Sequence, residues 1–183
     1  MRFGTDGIRG RFGGPDLNAG VARQLGAALY EEGARRLAVV RDTRSSGPAL
    51  LRALVAGFAG TVVDYGVQPT AGLSVLLARG EADLGVAITA SHNPAQDNGL
   101  KLLGPDGRKL SVEQESRIAA RTTARQQPGR LEPGDHDHAG AVRACLPEGR
   151  WLEGVRVALD CANGAAASIG PALLSQLGAQ VVS

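Results

Sequence analysis

Segments with helical and strand patterns alternate along the first two thirds of the chain, and this alternation limits the fold more than any other feature. Short apolar runs predict strands at residues 37–40, 61–64, 84–89 and 100–103. The intervening segments predict helices at residues 19–32, 48–58, 70–79 and 111–124. Because helices and strands that alternate along a chain pack as layers, the pattern predicts an α/β domain, a layered sheet with flanking helices.

Local signals at the segment ends support these helices. Asn18 stands where an N-cap is needed, and Gly33 follows the same segment as a stop signal. Pro48 suits the first turn of the second helix. Ser111 and Gln114 have the spacing of a capping box at the start of the last one.

The character of the sequence changes after residue 124. Residues 125–150 are rich in Pro, Gly, Asp, His and Arg and have little periodicity, which predicts a surface connection or interdomain linker. Residues 155–160, 165–177 and 179–183 then read as strand, helix and strand. We therefore predict a domain at 1–124, a linker at 125–150 and the start of a second, similar α/β domain at 151–183. Since two strands cannot bury a sheet, we expect the natural protein to be longer.

Composition excludes some classes of function. Apolar residues make up 43% of the 183 residues and aromatic residues 3%, so we expect an aliphatic core. The net charge of +2 is too small to indicate a nucleic-acid or acidic-membrane partner. The sequence has neither an apolar run of transmembrane length nor a signal-peptide pattern. Cys145 and Cys161 have neither metal spacing nor a disulfide framework, and reduced thiols favour a cytoplasmic location.

The most informative loop follows the predicted strand at 84–89 and reads Thr-Ala-Ser-His-Asn-Pro over residues 89–94. Pro94 turns the chain and keeps Asn93 out of helical geometry. A serine beside a histidine could indicate a hydrolase, but the Gly-x-Ser-x-Gly elbow is missing, and an adjacent histidine such as His92 rarely has the geometry of a base. The motif alone therefore predicts an exposed serine, Ser91.

Five motifs in a fixed order are more specific. They are FGTDGIRG at 3–10, RDTR at 41–44 with Ser46-Gly47, GVQPT at 66–70, TASHNPAQDNGLKLLGPDGRKL at 89–110, and DCANGA at 160–165. Together they resemble the α-D-phosphohexomutases, and the opening motif and residues 97–101 look most like the bacterial phosphoglucosamine mutases. The resemblance covers nearly the whole chain except residues 120–150.

This resemblance implies a chemistry. In the family, a phosphoserine donates its phosphoryl group to a sugar phosphate, giving a bisphosphate, and then recovers one from the other end. The implied reaction interconverts glucosamine 6-phosphate and glucosamine 1-phosphate. Family members have four domains and more than twice this length, and the aspartate loop that binds the metal lies in the second domain. Because this sequence contains no Asp-x-Asp-Gly-Asp-like loop, we expect the 183-residue chain alone to be inactive.

The resemblance also assigns roles to individual residues. Ser91 would be the phosphoserine, and through its phosphate it would be the chain's one ligand to Mg²⁺. Lys101 would transfer a proton at the sugar hydroxyl, and Arg9 would orient the phosphoserine or act on Lys101 through its charge. The substrate-binding residues would be Thr5, His92 and Asn93.

Alternatives to these readings remain open. The enzyme could be a phosphomannomutase or phosphoglucomutase, because the domain that selects the sugar is not matched. The chain could instead be a non-catalytic binding module, since family resemblance implies a homodimer and a diadenylate cyclase as partner, or a truncated product of poor solubility. The tract at residues 135–138, Asp-His-Asp-His, could bind a metal, but we expect a solvated loop. We interpret residues 41–44 as structural support beneath the active site.

Overall fold

The computed structural model describes residues 1–121 and 125–183. The strands described are β1 (Ile8–Arg11), β2 (Arg36–Arg41), β3 (Thr61–Val67), β4 (Leu84–Ile88), β5 (Asp97–Leu103), β6 (Arg130–Pro133), β7 (Arg156–Ala158) and β8 (Gln180–Val182). The helices described are α1 (Ala19–Glu31), α2 (Gly47–Gly57), α3 (Thr70–Ala78), α4 (Val112–Ala120), α5 (His138–Ala144) and α6 (Ile169–Gln176). The predicted α/β class is confirmed.

The first six strands form one mixed sheet in the order β1-β5-β4-β2-β3-β6. Strand β2 runs parallel to β3 and β4, and β3 runs parallel to β6. Strand β5 is antiparallel to both β1 and β4. A second sheet contains the parallel pair β7 and β8. Because β4 and β5 are joined by the serine-containing loop, the antiparallel part of the main sheet is the part that positions this loop.

Two aliphatic layers cover the main sheet, one on each face. Along β2 the side chains alternate between them: Leu37 and Val39 pack with α1, α2 and α4, whereas Ala38 and Val40 pack with α3. This alternation follows from the pleat of a strand, which sends successive side chains to opposite faces. The sheet is therefore buried on both sides, as expected for an α/β domain.

Helices α1 and α2 approach closely through two glycines. A Cβ on Gly57 would lie 1.8 Å from the Arg23 carbonyl oxygen, and one on Gly26 would lie 2.3 Å from that of Leu54. Such distances are far inside van der Waals contact, so the helix pair depends on glycine at both positions.

The predicted helix starts agree with the structure. The Val21 N–H donates to Asn18 Oδ1 at 3.0 Å, and Ser111 and Gln114 form the complete capping box. The predicted extension of this last helix to residue 124 lies outside the described residues, and α4 ends at Ala120.

Three features differ from the sequence-based expectation. Strand β1 was not predicted. Within the span predicted as a linker, β6 pairs with β3 at the edge of the main sheet, and α5 follows it. Helix α6 begins at Ile169 rather than at residue 165, because residues 162–168 form turns. The domain boundaries themselves stay a prediction.

Candidate active site

The serine loop leaves the end of β4 in a conformation that exposes the Ser91 hydroxyl. Ser91 has φ of 55°, in the left-handed region that non-glycine residues rarely adopt. Its neighbour Ala90 is fully buried, while Ser91 and His92 are exposed. The Ser91 Oγ lies 3.4 Å from His92 Nδ1. The backbone therefore holds the hydroxyl outward, at a strain cost of about 1–3 kcal/mol that the surrounding contacts must offset.

A hydrogen-bond chain anchors the start of the loop. The Ser91 backbone N–H donates to Thr89 Oγ1 at 3.0 Å, and the Thr89 hydroxyl donates to Asp42 Oδ2 at 2.6 Å. Thr89 is also fixed through its own N–H, which donates to the Gly99 carbonyl oxygen at 3.0 Å. The position of Ser91 is thus tied to β5 and to the segment after β2.

Arg44 is the second anchor, and its guanidinium lies beneath the loop. Its Nε donates to Asp42 Oδ2 at 2.9 Å, and the Arg44 side chain is only 10% exposed. Its two Nη atoms donate to loop carbonyl oxygens of Ser91, Asn93, Pro94 and Asp97. One planar side chain therefore satisfies four acceptors of a single turn, which agrees with the interpretation of residues 41–44 as structural support.

Lys101 and Arg9 both contact one carboxylate, that of Asp6. Lys101 Nζ lies 2.7 Å from Asp6 Oδ1, and the Arg9 guanidinium forms an ion pair with Asp6 Oδ2. Arg9 was predicted to orient the phosphoserine or to act on Lys101 through its charge, and the structure places Asp6 in contact with both cations. The partly open position of this triad, with side chains 25–39% exposed, leaves it accessible to a ligand.

Two strands bring Arg9 and Lys101 of this triad together. Arg9 on β1 is paired with Gly99 on β5, two residues before Lys101. Their neighbours Ile8 and Leu100 point into the core layer beneath α1, so Arg9 and Lys101 point to the opposite face. A Cβ on Gly99 would lie 2.9 Å from Arg9 Cγ, so this glycine leaves space for the arginine side chain.

The electrostatics of Asp6 follow from its neighbours. The hydrogen bond from Lys101 lowers the pKa of the Asp6 carboxyl below its ordinary value, and partial burial opposes this shift. The positive charges of Lys101, Arg9 and Lys109 lower the pKa further. Asp6 is therefore a carboxylate at neutral pH. Asp6 lies within the opening motif but was not predicted as a site residue; its spacing of three residues from Arg9 was the available signal.

Five of the six predicted site residues line two clefts, and the sixth, Lys101, contacts Asp6 in the lining of the smaller one. The larger, of about 780 Å³, is lined by Ser91, His92 and Asn93, together with residues 40–45 and 161–165. The smaller, of about 400 Å³, is lined by Thr5 and Arg9 and contains Asp6. The Gly99 carbonyl oxygen accepts a hydrogen bond from the Thr89 N–H at the start of the serine loop. Lys101 lies two residues further along β5, a distance of about 7 Å.

The DCANGA segment closes one side of the larger cleft. Thr43 Oγ1 donates to the Asn163 carbonyl oxygen at 2.7 Å. Asn163 and its neighbour Ala162 have φ of 52° and 48°, which turns the segment sharply after β7. The fourth and fifth sequence motifs, far apart in the chain, thus line one cleft.

The histidine tract differs from the solvated loop that the sequence predicted. His138 is buried, and His136 is half-buried against α3, where a Cβ on Gly72 would lie 3.4 Å from His138 Nδ1. Burial lowers the pKa of His136, and the nearby charges of His138 and Arg79 lower it further. Within residues 1–121 and 125–183, no group of three or more His, Cys, Asp or Glu side chains is arranged to hold a metal. The expectation of a solvated loop was wrong for the two histidines, because they pack against α3, whereas Asp135 and Asp137 are exposed.

Comparison with known proteins identifies the family. Residues 1–129 match the family described as phosphoglucomutase/phosphomannomutase, alpha/beta/alpha domain I. A phosphoglucosamine mutase from Rhodospirillum rubrum is 43% identical over 98% of this chain and 44% of its own length, and one from Novosphingobium aromaticivorans is 41% identical over 99% and 44%.

Solved structures agree. A phosphoglucomutase/phosphomannomutase family protein from Burkholderia thailandensis is 27% identical with a TM-score of 0.71, covering 97% of this chain and 42% of that one. Parafusin from Paramecium shares the fold with a TM-score of 0.78. The two are 15% identical, and the match covers 99% of this chain and 43% of parafusin. The chain therefore belongs to the phosphohexomutase family, and the two curated relatives described above are named phosphoglucosamine mutases.

Two further facts limit the comparison. The chain spans less than half the length of the curated relatives that it matches. In the part of the chain that the structure describes, none of the helices is both long and apolar enough to span a membrane.

Proposed function

We propose that this chain is the phosphoserine-bearing part of a phosphoglucosamine mutase and that Ser91 carries the transferred phosphoryl group. The observation that carries the proposal is the exposed Ser91 hydroxyl, held in a left-handed turn by Arg44 and by the Thr89–Asp42 hydrogen bond. A phosphate on this residue must meet a sugar hydroxyl in line, and a rigid loop supplies that positioning.

The proposed reaction has two transfers. In the first, the bond between phosphorus and Ser91 Oγ breaks while the oxygen of a sugar hydroxyl bonds to the same phosphorus, giving a sugar bisphosphate. In the second, Ser91 Oγ recovers a phosphoryl group from the other end of the sugar. Each attacking hydroxyl loses a proton, and each leaving oxygen gains one. Lys101 is proposed to move the proton at the sugar oxygen, and Arg9 to bind phosphate through its guanidinium.

The remaining roles are binding roles. His92 lies 3.4 Å from the Ser91 hydroxyl, so we assign it a contact to substrate or to the phosphate. Asn93 lines the same cleft, and Thr5 lines the smaller one beside Arg9. Placing the substrate between both clefts would bring all of these side chains to one phosphosugar.

Mg²⁺ is proposed as the cofactor. It prefers oxygen ligands and often binds through substrate phosphates with few protein groups, and an exposed phosphorylated Ser91 fits that requirement as one ligand. When bound, the ion would neutralise charge on the transferred phosphoryl group. The other ligands are expected from residues outside this sequence.

The choice of sugar follows the relatives. Glucosamine 6-phosphate is proposed because the matched curated proteins at 41–43% identity are named phosphoglucosamine mutases. The Burkholderia structure named for the phosphoglucomutase/phosphomannomutase family keeps glucose and mannose phosphates as the second candidates.

The test uses the complete protein that carries this chain. We expect turnover of glucosamine 6-phosphate to exceed that of mannose 6-phosphate, Ser91→Ala to abolish it, and the intact mass to contain one phosphoryl group that the variant lacks. The matched control is Ser111→Ala, a helix-cap serine far from the loop in sequence, which should keep both activity and phosphate. Persistent turnover by Ser91→Ala would refute the assignment of Ser91.

A further inference from the structure

Asp6 has three properties that no role described above uses. It is a carboxylate in a site proposed to bind phosphates, its two oxygens contact two different cations, and its pKa lies below the ordinary value. A negative charge beside a phosphate site repels the phosphate, so it is expected only where another interaction of the carboxylate outweighs that repulsion.

Resting on the proposed function, we propose that Asp6 is a positioning residue that holds the Lys101 ammonium and the Arg9 guanidinium in fixed places for phosphoryl transfer. Lysine has a long, flexible side chain with large rotamer freedom, so its amine needs a partner to stay in one place. Asp6 Oδ1 provides this partner at 2.7 Å, and Oδ2 is left for Arg9.

The backbone is shaped to bring Asp6 to Lys101. The next residue, Gly7, has φ of 89°, and a Cβ there would lie 2.4 Å from the Leu100 carbonyl oxygen. A side chain at residue 7 would therefore push the opening loop away from β5. With glycine, the loop packs against β5 next to Lys101, so the contact between Asp6 and Lys101 is built into the fold.

A second ion pair in the same chain provides a matched control. The sequence has two lysines, Lys101 and Lys109. Lys109 Nζ lies 3.0 Å from Glu115 Oε2, a lysine–carboxylate pair that shares no side chain with the contacts of Asp6. Glu115→Gln therefore removes the carboxylate partner of Lys109, as Asp6→Asn removes that of Lys101, and it leaves the contacts of Asp6 in place.

The first measurement is made on the 183-residue chain. Reductive methylation with ¹³C-formaldehyde labels both lysines and the N-terminal amine and keeps the charge of the lysines, so a carbon–proton NMR spectrum contains one dimethylamine signal for each of these three groups. On acidification, the Lys101 signal should shift as Asp6 becomes protonated, with a midpoint below the ordinary aspartate value. Asp6→Asn should remove that inflection, whereas Glu115→Gln should leave it in place.

The wild-type titration alone can overturn the inference, without relying on a variant that folds. If the Lys101 signal has no inflection below the ordinary aspartate value, Asp6 does not hold the amine. Persistence of the inflection in folded Asp6→Asn would have the same meaning.

The second measurement is kinetic, on the complete protein. Asp6→Asn should lower kcat about 10- to 100-fold with a smaller change in KM, because misplacing a reacting group raises the barrier more than it weakens binding. An unchanged kcat would overturn the positioning role even if the NMR inflection is lost. Failure of the proposed function is distinguished by its own result: wild-type protein without phosphosugar turnover, but with the Lys101 inflection present.

Discussion

Arg44 gives the sharpest test of how the serine loop is held, because one side chain accounts for so many of its contacts. In Arg44→Ala the loop loses its donors to four carbonyl oxygens and Asp42 loses its ion-pair partner. The side chains of Arg44 and Asp42 are 10% and 13% exposed, so this pair is largely shielded from water.

The magnitude follows from those burials. Hydrogen bonds to charged groups contribute about 1.5–3 kcal/mol each to stability. When Arg44 is removed, however, the exposed loop carbonyl oxygens form hydrogen bonds to water, which offsets most of the free energy lost at those four acceptors. The loss that remains is that of the shielded pair, so we expect Arg44→Ala to lower the free energy of unfolding by about 2–4 kcal/mol. Arg44→Lys keeps the charge but lacks the planar fork, and we expect a loss of about 1–2 kcal/mol.

Urea unfolding followed by circular dichroism measures these changes, and amide hydrogen exchange at Ser91 reports the loop itself. The control is Arg150→Ala, whose ion pair with Glu153 is 62% and 70% exposed and should contribute less than about 0.5 kcal/mol. If Arg44→Ala costs no more than this control and leaves Ser91 protection unchanged, the reasoning about the loop is refuted.

Three further predictions concern stability. The pKa of Asp6 is lowered in the folded chain, so the Asp6 carboxylate stabilises the fold above the unfolded pKa of 3.8, and this stabilisation is lost as the pH falls through the folded pKa. Asp6→Asn should therefore have a smaller free energy of unfolding than the wild-type chain at pH 7. The difference should vanish when the unfolding curves are measured in acid. The pKa of His136 is also lowered in the folded chain, so the neutral imidazole contributes fully to stability above the unfolded pKa of 6.5. This contribution is lost as the pH falls from 6.5 to the folded pKa. His136→Gln should reduce the loss of thermal stability between pH 7 and 5 more than exposed His92→Gln does, and equal effects would contradict this. Gly57→Ala should lower the free energy of unfolding in urea by about 3 kcal/mol or more, because its Cβ would lie 1.8 Å from the Arg23 carbonyl oxygen. A loss below about 1 kcal/mol would show that α1 and α2 can move apart.

The elements that sequence reasoning predicted well carry their signals locally. Helix α1 has Asn18 as its cap and α4 has Ser111 with Gln114, and each signal acts within one turn of the helix it starts. The central strands are continuous apolar runs, as expected for strands buried on both faces.

Strands β1 and β6 had no such signal. Strand β1 contains one core residue, Ile8, between charged and small residues, and β6 ends in Pro133. Each becomes a strand because an existing neighbour, β5 or β3, offers unpaired backbone groups at an edge of the sheet. Pairing of this kind depends on the partner strand, and no local window of sequence contains the partner.

The sequence by itself determined the α/β class, the exposed Ser91 at the end of a strand, and the family, because periodicity, turn residues and ordered motifs are written along the chain. The tertiary structure decided which side chains meet. Arg44 reaches the serine loop across 47 residues, and Asp6 joins Arg9 to Lys101, because strand order and register bring distant segments to one edge of the sheet. Hydrogen bonds and ion pairs act over a few ångströms, so only the folded backbone determines these partners.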